Sequence, residues 1–208
     1  MCDHKRRLAP GLVALLVLLL APAPGAGQDQ PLAFELRGGV GLPAFDLADR
    51  TDPGFAVGLD LAHRLTPRLS LVAGGDVELL AGAGGDGAVD HPDVNVWHYG
   101  VGVEAQLLDP ARTWWRLSAS AGAGGTTFDV AGGGASSTEP AVYAGLELGW
   151  DASEEMDVFL GLRSWVAFAG ESTLGPDPRD TAPVGDAADE EGDTLWSFPL
   201  TAGVRLTF

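Results

Sequence analysis

Between Trp196 and Phe208 apolar and polar positions alternate without a break. Trp196, Phe198, Leu200, Ala202, Val204, Leu206 and Phe208 take one parity; Ser197, Pro199, Thr201, Gly203, Arg205 and Thr207 take the other. Side chains on a strand repeat every two residues, so the segment predicts a ribbon with one greasy face and one small or polar face. Seven more segments can be laid out with the same alternation, roughly 33–45, 54–64, 68–82, 94–108, 113–128, 140–151 and 157–169. The 30 glycines, mostly scattered among apolar residues, suit strands better than helices. No stretch beyond about residue 27 sustains a helical period.

The connections between these segments alternate in length. Short turns are expected at His63–Arg68, Leu108–Arg112 and Asp151–Met156, and longer loops near 46–53, 83–93, 129–139 and 170–195. Short turns at one end and long loops at the other are the asymmetry of a barrel that crosses a membrane. The apolar parity carries no charge in any of the eight segments. The fold expected is therefore all-β, an eight-stranded antiparallel up-and-down transmembrane barrel with lipid on its apolar side. A soluble lipocalin-like barrel, with the same residues turned inward, is the alternative. Laid out up and down, Phe55, Trp97, Tyr99, Phe168, Trp196 and Phe198 gather toward one rim and Phe34, Trp115, Trp150 and Phe208 toward the other. Two aromatic girdles at the membrane interfaces follow from that sorting.

The first residues change the compartment. Lys5, Arg6 and Arg7 precede the apolar run Leu12–Leu20, with prolines and small residues following to about Gly27, so residues 1–27 read as a cleaved export signal and 28–208 as the barrel domain. Cys2 would leave with the signal, which excludes a lipid-carrying cysteine and a disulfide framework. Cleavage lowers Lys+Arg from 12 to 9 and Asp+Glu from 29 to 28, moving the formal charge from −17 to −19. An exported chain this acidic is unsuited to nucleic acid. An even number of strands places both termini on the periplasmic side of an outer membrane.

The polar parity carries Glu35, Arg37, Asp60, Asp76, Glu78, His98, Glu104, Gln106, Arg116, Glu147, Arg163 and Arg205, spaced by Gly, Ala and Ser. Inside a barrel of this size they must face one another, and isolated charges there would be heavily desolvated. Arginine forks and carboxylates are expected to pair into an ionic plug, with Arg163 and Arg205 bridging Glu147 and another lumen acid. The competing reading is a narrow pore whose excess acids favour cations.

Other candidates are weaker. The last loop holds Asp177, Asp180, Asp186, Asp189, Glu190, Glu191 and Asp193, a solvated acidic segment that could also capture divalent cations and bridge to lipopolysaccharide phosphates. Its spacing is not that of an EF-hand, and no metal or cofactor site is assigned. His91, beside Asp90 and Asp93, lacks further ligands. Ser118, Ser120, Ser164 and Ser197 are possible nucleophiles, with His63, His91 and His98 as bases, for chemistry on lipid A. Yet no Gly-x-Ser-x-Gly elbow occurs, and Ser164 faces lipid while His98 faces the lumen. Catalysis is not expected. Glycine runs at 121–125 and 132–134 lack the lysine and helix of a phosphate cradle.

The terminal strand ending Val204-Arg-Leu-Thr-Phe208, with Val204, Leu206 and Phe208 on its apolar parity, resembles the signal by which barrel-insertion machinery recognises its clients. Over residues 33–208 the chain resembles the small bacterial outer-membrane barrels of the OmpA transmembrane domain, OmpX and opacity-protein type. That resemblance implies assembly by the insertion machinery, outer-membrane lipids and lipopolysaccharide as neighbours, and a role in membrane integrity, adhesion or host interaction.

Overall fold

The computed structural model describes residues 32–83, 92–108, 114–131, 136–169 and 194–208. Ten strands make eight staves. The first is β1 (Leu32–Gly41) continued by β2 (Pro43–Ala44), and the next six are β3 (Thr51–Thr66), β4 (Leu69–Gly82), β5 (Val94–Gln106), β6 (Trp115–Val130), β7 (Ser136–Asp151) and β8 (Met156–Phe168). The last is β9 (Thr194–Ser197) continued by β10 (Leu200–Thr207). Each stave pairs antiparallel with the next, and the last closes on the first through Ala33↔Thr207 to Val40↔Leu200, then Pro43↔Ser197 and Ala44↔Trp196. Among the described residues every stave has a partner on both sides, as a strand-built membrane span requires.

The interruption of the last stave has a local cause. Pro199 has no N–H to give to the ladder, so regular pairing lapses there while the register runs on unchanged. Two hydrogen bonds bridge the gap: Arg163 N–H donates to the Pro199 carbonyl at 3.1 Å, and Phe198 N–H to the Leu42 carbonyl at 2.9 Å.

One end of the barrel, here the turn end, carries Leu32 at the start of β1, Phe208, and the sides of the β3–β4, β5–β6 and β7–β8 connections. The opposite end is the loop end. There the strands run further than alternation predicted, with β7 starting at Ser136 instead of 140 and β6 reaching Val130. Polarity of side chains does not end a ladder whose backbone groups still find partners, and Thr127 and Thr138 add a hydroxyl pair at 2.8 Å. The segment expected as a continuous strand over 33–45 instead closes in the 3-10 turn Phe45–Leu47. Phe45 adopts a positive φ of 52°, which reverses the chain and drops Leu47 into the lumen mouth. The Thr51 hydroxyl fastens it by donating to the Leu47 carbonyl at 2.8 Å.

Parity decides what each side chain meets. Phe34, Leu36, Phe55, Leu59, Trp97, Tyr99, Leu146, Leu160 and Phe168 point outward and are exposed, Leu59 by 53% and Leu160 by 51%. Trp115, Trp150, Trp196 and Phe198 share that parity and are half-buried, and Phe208 stands exposed at the turn end. Among the described residues no charged side chain stands among these, so the belt is best placed in apolar surroundings.

Candidate functional site

The inward side chains form the candidate site, and they divide the lumen into two kinds of filling. Nearest the turn end, Arg205 from β10 reaches three carboxylates. Its Nε donates to Glu35, its terminal nitrogens grip Glu104 of β5 at 3.1 and 2.6 Å, and one lies 3.5 Å from Glu147. Arg116 of β6 takes Glu147 at 3.0 Å and also bonds Asp157 of β8. Glu35, Glu104 and Glu147 stand close enough together to hold a cation. The Arg205 guanidinium already occupies that place as their counter-charge.

One layer further in, two arginines and two aspartates share their bonds. Arg37 donates to Asp76 at 2.7 Å and to both oxygens of Asp60, at 2.5 and 3.1 Å. Arg163 donates to Asp60 at 2.7 Å and Asp76 at 3.2 Å, and its guanidinium lies 5.0 Å over the Tyr143 ring. Each aspartate thus sees both guanidiniums, which offsets the cost of taking four charges out of water. Gly58 makes the crossing possible: a methyl there would sit 2.7 Å from the Arg37 Nε and collide with the Asp76 carboxylate.

The pairing expected of Arg163 needs correction. It is seated on Asp60 and Asp76, while Glu147 is taken by Arg116 and Arg205. Strand adjacency suggested otherwise, but in a narrow lumen a long side chain reaches across the axis as readily as along the wall. Asp157 was missed by sequence reasoning, although it shares the parity of Arg163 on β8.

Above the arginine–aspartate layer lies a polar knot. His98 Nε2 is 2.9 Å from Glu78 Oε1 and 3.5 Å from the Ser197 hydroxyl, His98 Nδ1 is 2.8 Å from the Thr126 hydroxyl, and Ser197 donates to Glu78. Ser197 and His98, separate in the sequence reading, are therefore neighbours. Their geometry is not that of a nucleophile relay, in which the carboxylate holds the imidazole nitrogen that the nucleophile leaves free. Glu78 and Ser197 crowd the same nitrogen, and all four side chains are buried. Ser118 and Ser120 face the lumen, Ser164 has the outward parity, and His63 lies toward the turn end.

The Trp165 indole stacks on His98 with centroids 4.7 Å apart and planes 8° from parallel, while its N–H donates to Asp76 at 3.1 Å. With Trp165 the lumen changes character. Leu47, Leu80, Val94, Val96, Phe128, Ala141, Tyr143, Ala167, Ala169 and Leu195 pack with it into one apolar cluster that fills the loop end. Phe128 and Trp165 are each only 1% exposed. Sequence reasoning missed this plug entirely.

The loop acids Asp186, Asp189, Glu190, Glu191 and Asp193, as well as His91, the glycines at 132–134 and residues 1–27, lie outside the described residues. Asp93, named beside His91, accepts the Gly82 N–H at 2.9 Å and closes the β4–β5 loop instead of standing free as a ligand.

No family model matches the chain, and no curated protein matches it. Solved structures do. Neisserial surface protein A superposes with a TM-score of 0.57 at 13% identity, over 86% of this chain and 97% of that one. The outer membrane protein OprG from Pseudomonas aeruginosa gives 0.49 at 14% identity, over 85% and 95%. The Yersinia pestis attachment invasion locus protein, solved with the heparin analogue sucrose octasulfate, gives 0.46 at 9% identity, over 86% and 100%. At such identities the likeness concerns the path of the backbone, and the first of these carries it. With its closed antiparallel ring of eight staves and its uncharged outer belt, the chain has the fold of the small outer-membrane β-barrel proteins.

Proposed function

We propose that the chain is exported on residues 1–27, assembled through its terminal strand, and resides in a bacterial outer membrane with both termini in the periplasm. There it acts as a closed barrel: a rigid, lipid-anchored scaffold that contributes to envelope integrity and presents its loops for surface contact. One observation carries this reading against a conducting pore, namely that the lumen is filled by two successive barriers of opposite chemistry. A permeant cation would first have to displace arginines already seated on the carboxylates. It would then have to cross an apolar cluster with no ligand to replace its water, a large desolvation cost. The aromatic residues of the outer parity, from Phe34 to Phe208, serve in this reading as anchors at the two membrane interfaces. Outer-membrane lipids, lipopolysaccharide and the insertion machinery are the expected partners, with divalent cations at the acidic 170–195 loop a subsidiary one. No catalytic step is assigned.

Single-channel recording on refolded protein in planar bilayers tests the closed lumen. The expected trace is flat at physiological salt. Reproducible, cation-selective steps would replace this reading with the pore.

A further inference from the structure

Where β2 ends at the loop rim, the chain turns on a residue whose backbone is strained. Phe45 holds a φ of 52°, a left-handed conformation that a bulky residue keeps only when its surroundings impose it. The inner half of those surroundings is plain. Two residues on, Leu47 is buried in the apolar cluster that fills the loop end, and the Thr51 hydroxyl donates to its carbonyl. The outer half is incomplete. The Phe45 ring meets Trp196 edge-on, with centroids 5.7 Å apart and planes at 66°, yet 66% of Phe45 stays exposed.

The turn straddles the barrel wall. The Ala44↔Trp196 rung is the last before it, and past that rung Phe45 lies outside against Trp196 while Leu47 lies inside. Trp196 stacks in turn on Phe198 at 6.0 Å, and Leu42, Phe198 and Leu200 carry the outward parity down into the uncharged belt. Phe45 is therefore continuous with the surface that faces acyl chains. A ring this exposed gains from hydrocarbon and nothing from water, and its height is that of an interfacial aromatic. Asp46, next in the chain, is exposed and acidic, which keeps the tip from sinking deeper.

We propose that Phe45 docks into outer-leaflet lipid beside Trp196 and Phe198, and that this contact holds Leu47 in the lumen mouth, so that the Phe45–Leu47 turn is a lipid-dependent latch on the apolar plug. The latch rests on the membrane location proposed above. A tight turn joins the two side chains, closed by the Ala48 N–H to the Phe45 carbonyl at 2.8 Å and the Arg50 N–H to the Leu47 carbonyl at 3.2 Å. Released from lipid, Phe45 returns to an ordinary negative φ. That rotation re-aims the chain after it, and Leu47 leaves the plug first.

The experiment is solid-state and solution NMR on the full barrel in lipid nanodiscs. In the unmodified barrel, magnetisation from lipid acyl protons should reach the Phe45 ring as it reaches Leu160, and a water-soluble gadolinium chelate should leave Leu47 as protected as Leu80. Phe45→Ala deletes the ring but keeps a side chain that disfavours a positive φ, and Leu47 should lose its protection while Leu80 keeps it. Phe45→Trp keeps an interfacial ring, and Trp196→Leu removes the stacked neighbour while leaving lipid in place; Leu47 should stay protected in both. All three change outward side chains, so heat-modifiable migration should persist. Protection of Leu47 in Phe45→Ala would overturn the latch, as would its loss in either of the other variants. Acyl transfer to Leu160 without transfer to Phe45 would overturn it too and leave the membrane location standing, whereas transfer to neither would remove both.

Discussion

The two halves of the lumen solve one problem by opposite means. Toward the turn end the interior is filled by charge, with Arg37, Arg116, Arg163 and Arg205 seated on Glu35, Asp60, Asp76, Glu104, Glu147 and Asp157. Toward the loop end it is filled by hydrocarbon and rings, with Leu47 folded in from the loop and Phe128 and Trp165 at the centre. Trp165 belongs to both, stacking on His98 and donating to Asp76 while its ring packs in the apolar cluster. The ionic half depends on pairing and fails when one partner is lost. The apolar half depends on volume and fails by degrees.

That contrast ranks the effect of substitutions. Asp60→Ala should do most damage, because it leaves two guanidiniums, those of Arg37 and Arg163, sharing the single carboxylate of Asp76 in a buried layer. A loss of about 3–5 kcal/mol is expected, read from urea unfolding of the refolded barrel in lipid. A change under 1 kcal/mol would mean that water already screens the layer. Phe128→Ala should cost about 3 kcal/mol through the cavity it leaves, yet bilayer recordings should stay flat because the arginine layers still close the lumen. Conductance appearing in this variant would show that the apolar half alone is the seal.

Gly58→Ala probes the fit of the ionic half without removing a charge. The added methyl would displace the Arg37–Asp76 contact, at about 1–3 kcal/mol, and a neutral outcome would contradict the tight crossing seen there. The mildest change is Arg163→Lys, which keeps the charge but cannot reach Asp60 and Asp76 with a planar fork. About 1 kcal/mol is expected from the same unfolding measurement, and a loss equal to that of Asp60→Ala would mean that charge balance matters less than shape.

The same contrast explains what could be read from the sequence. In the ionic half, charged and aliphatic residues alternate, as in Phe34-Glu35-Leu36-Arg37 and Leu59-Asp60-Leu61, so inner and outer faces separate at once. In the apolar half both faces are apolar, as in Leu79-Leu80 and Trp165-Val166-Ala167-Phe168, and parity no longer says which one meets lipid. Val96, Phe128 and Trp165 could have been placed inside by carrying the parity of Glu104, Arg116 and Arg163 along their own strands. Leu47 could not, since its entry depends on the positive φ at Phe45. The Glu78–His98–Ser197 knot was equally hidden, because its members come from three strands and meet only once the ring is closed. Arginine pairings across the axis depend on side-chain reach, which strand order does not encode.

The account rests on apolar side chains of two kinds, one set wetted by acyl chains and one packed inside. Magnetisation transfer from lipid acyl protons to the unmodified barrel in bilayers, followed by solid-state NMR, separates the two directly. Leu36, Leu59, Leu146, Leu160 and Leu162 should receive magnetisation from lipid, while Leu80, Val96, Phe128 and Trp165 should receive none. Strong transfer to the second set, or to neither, would contradict it.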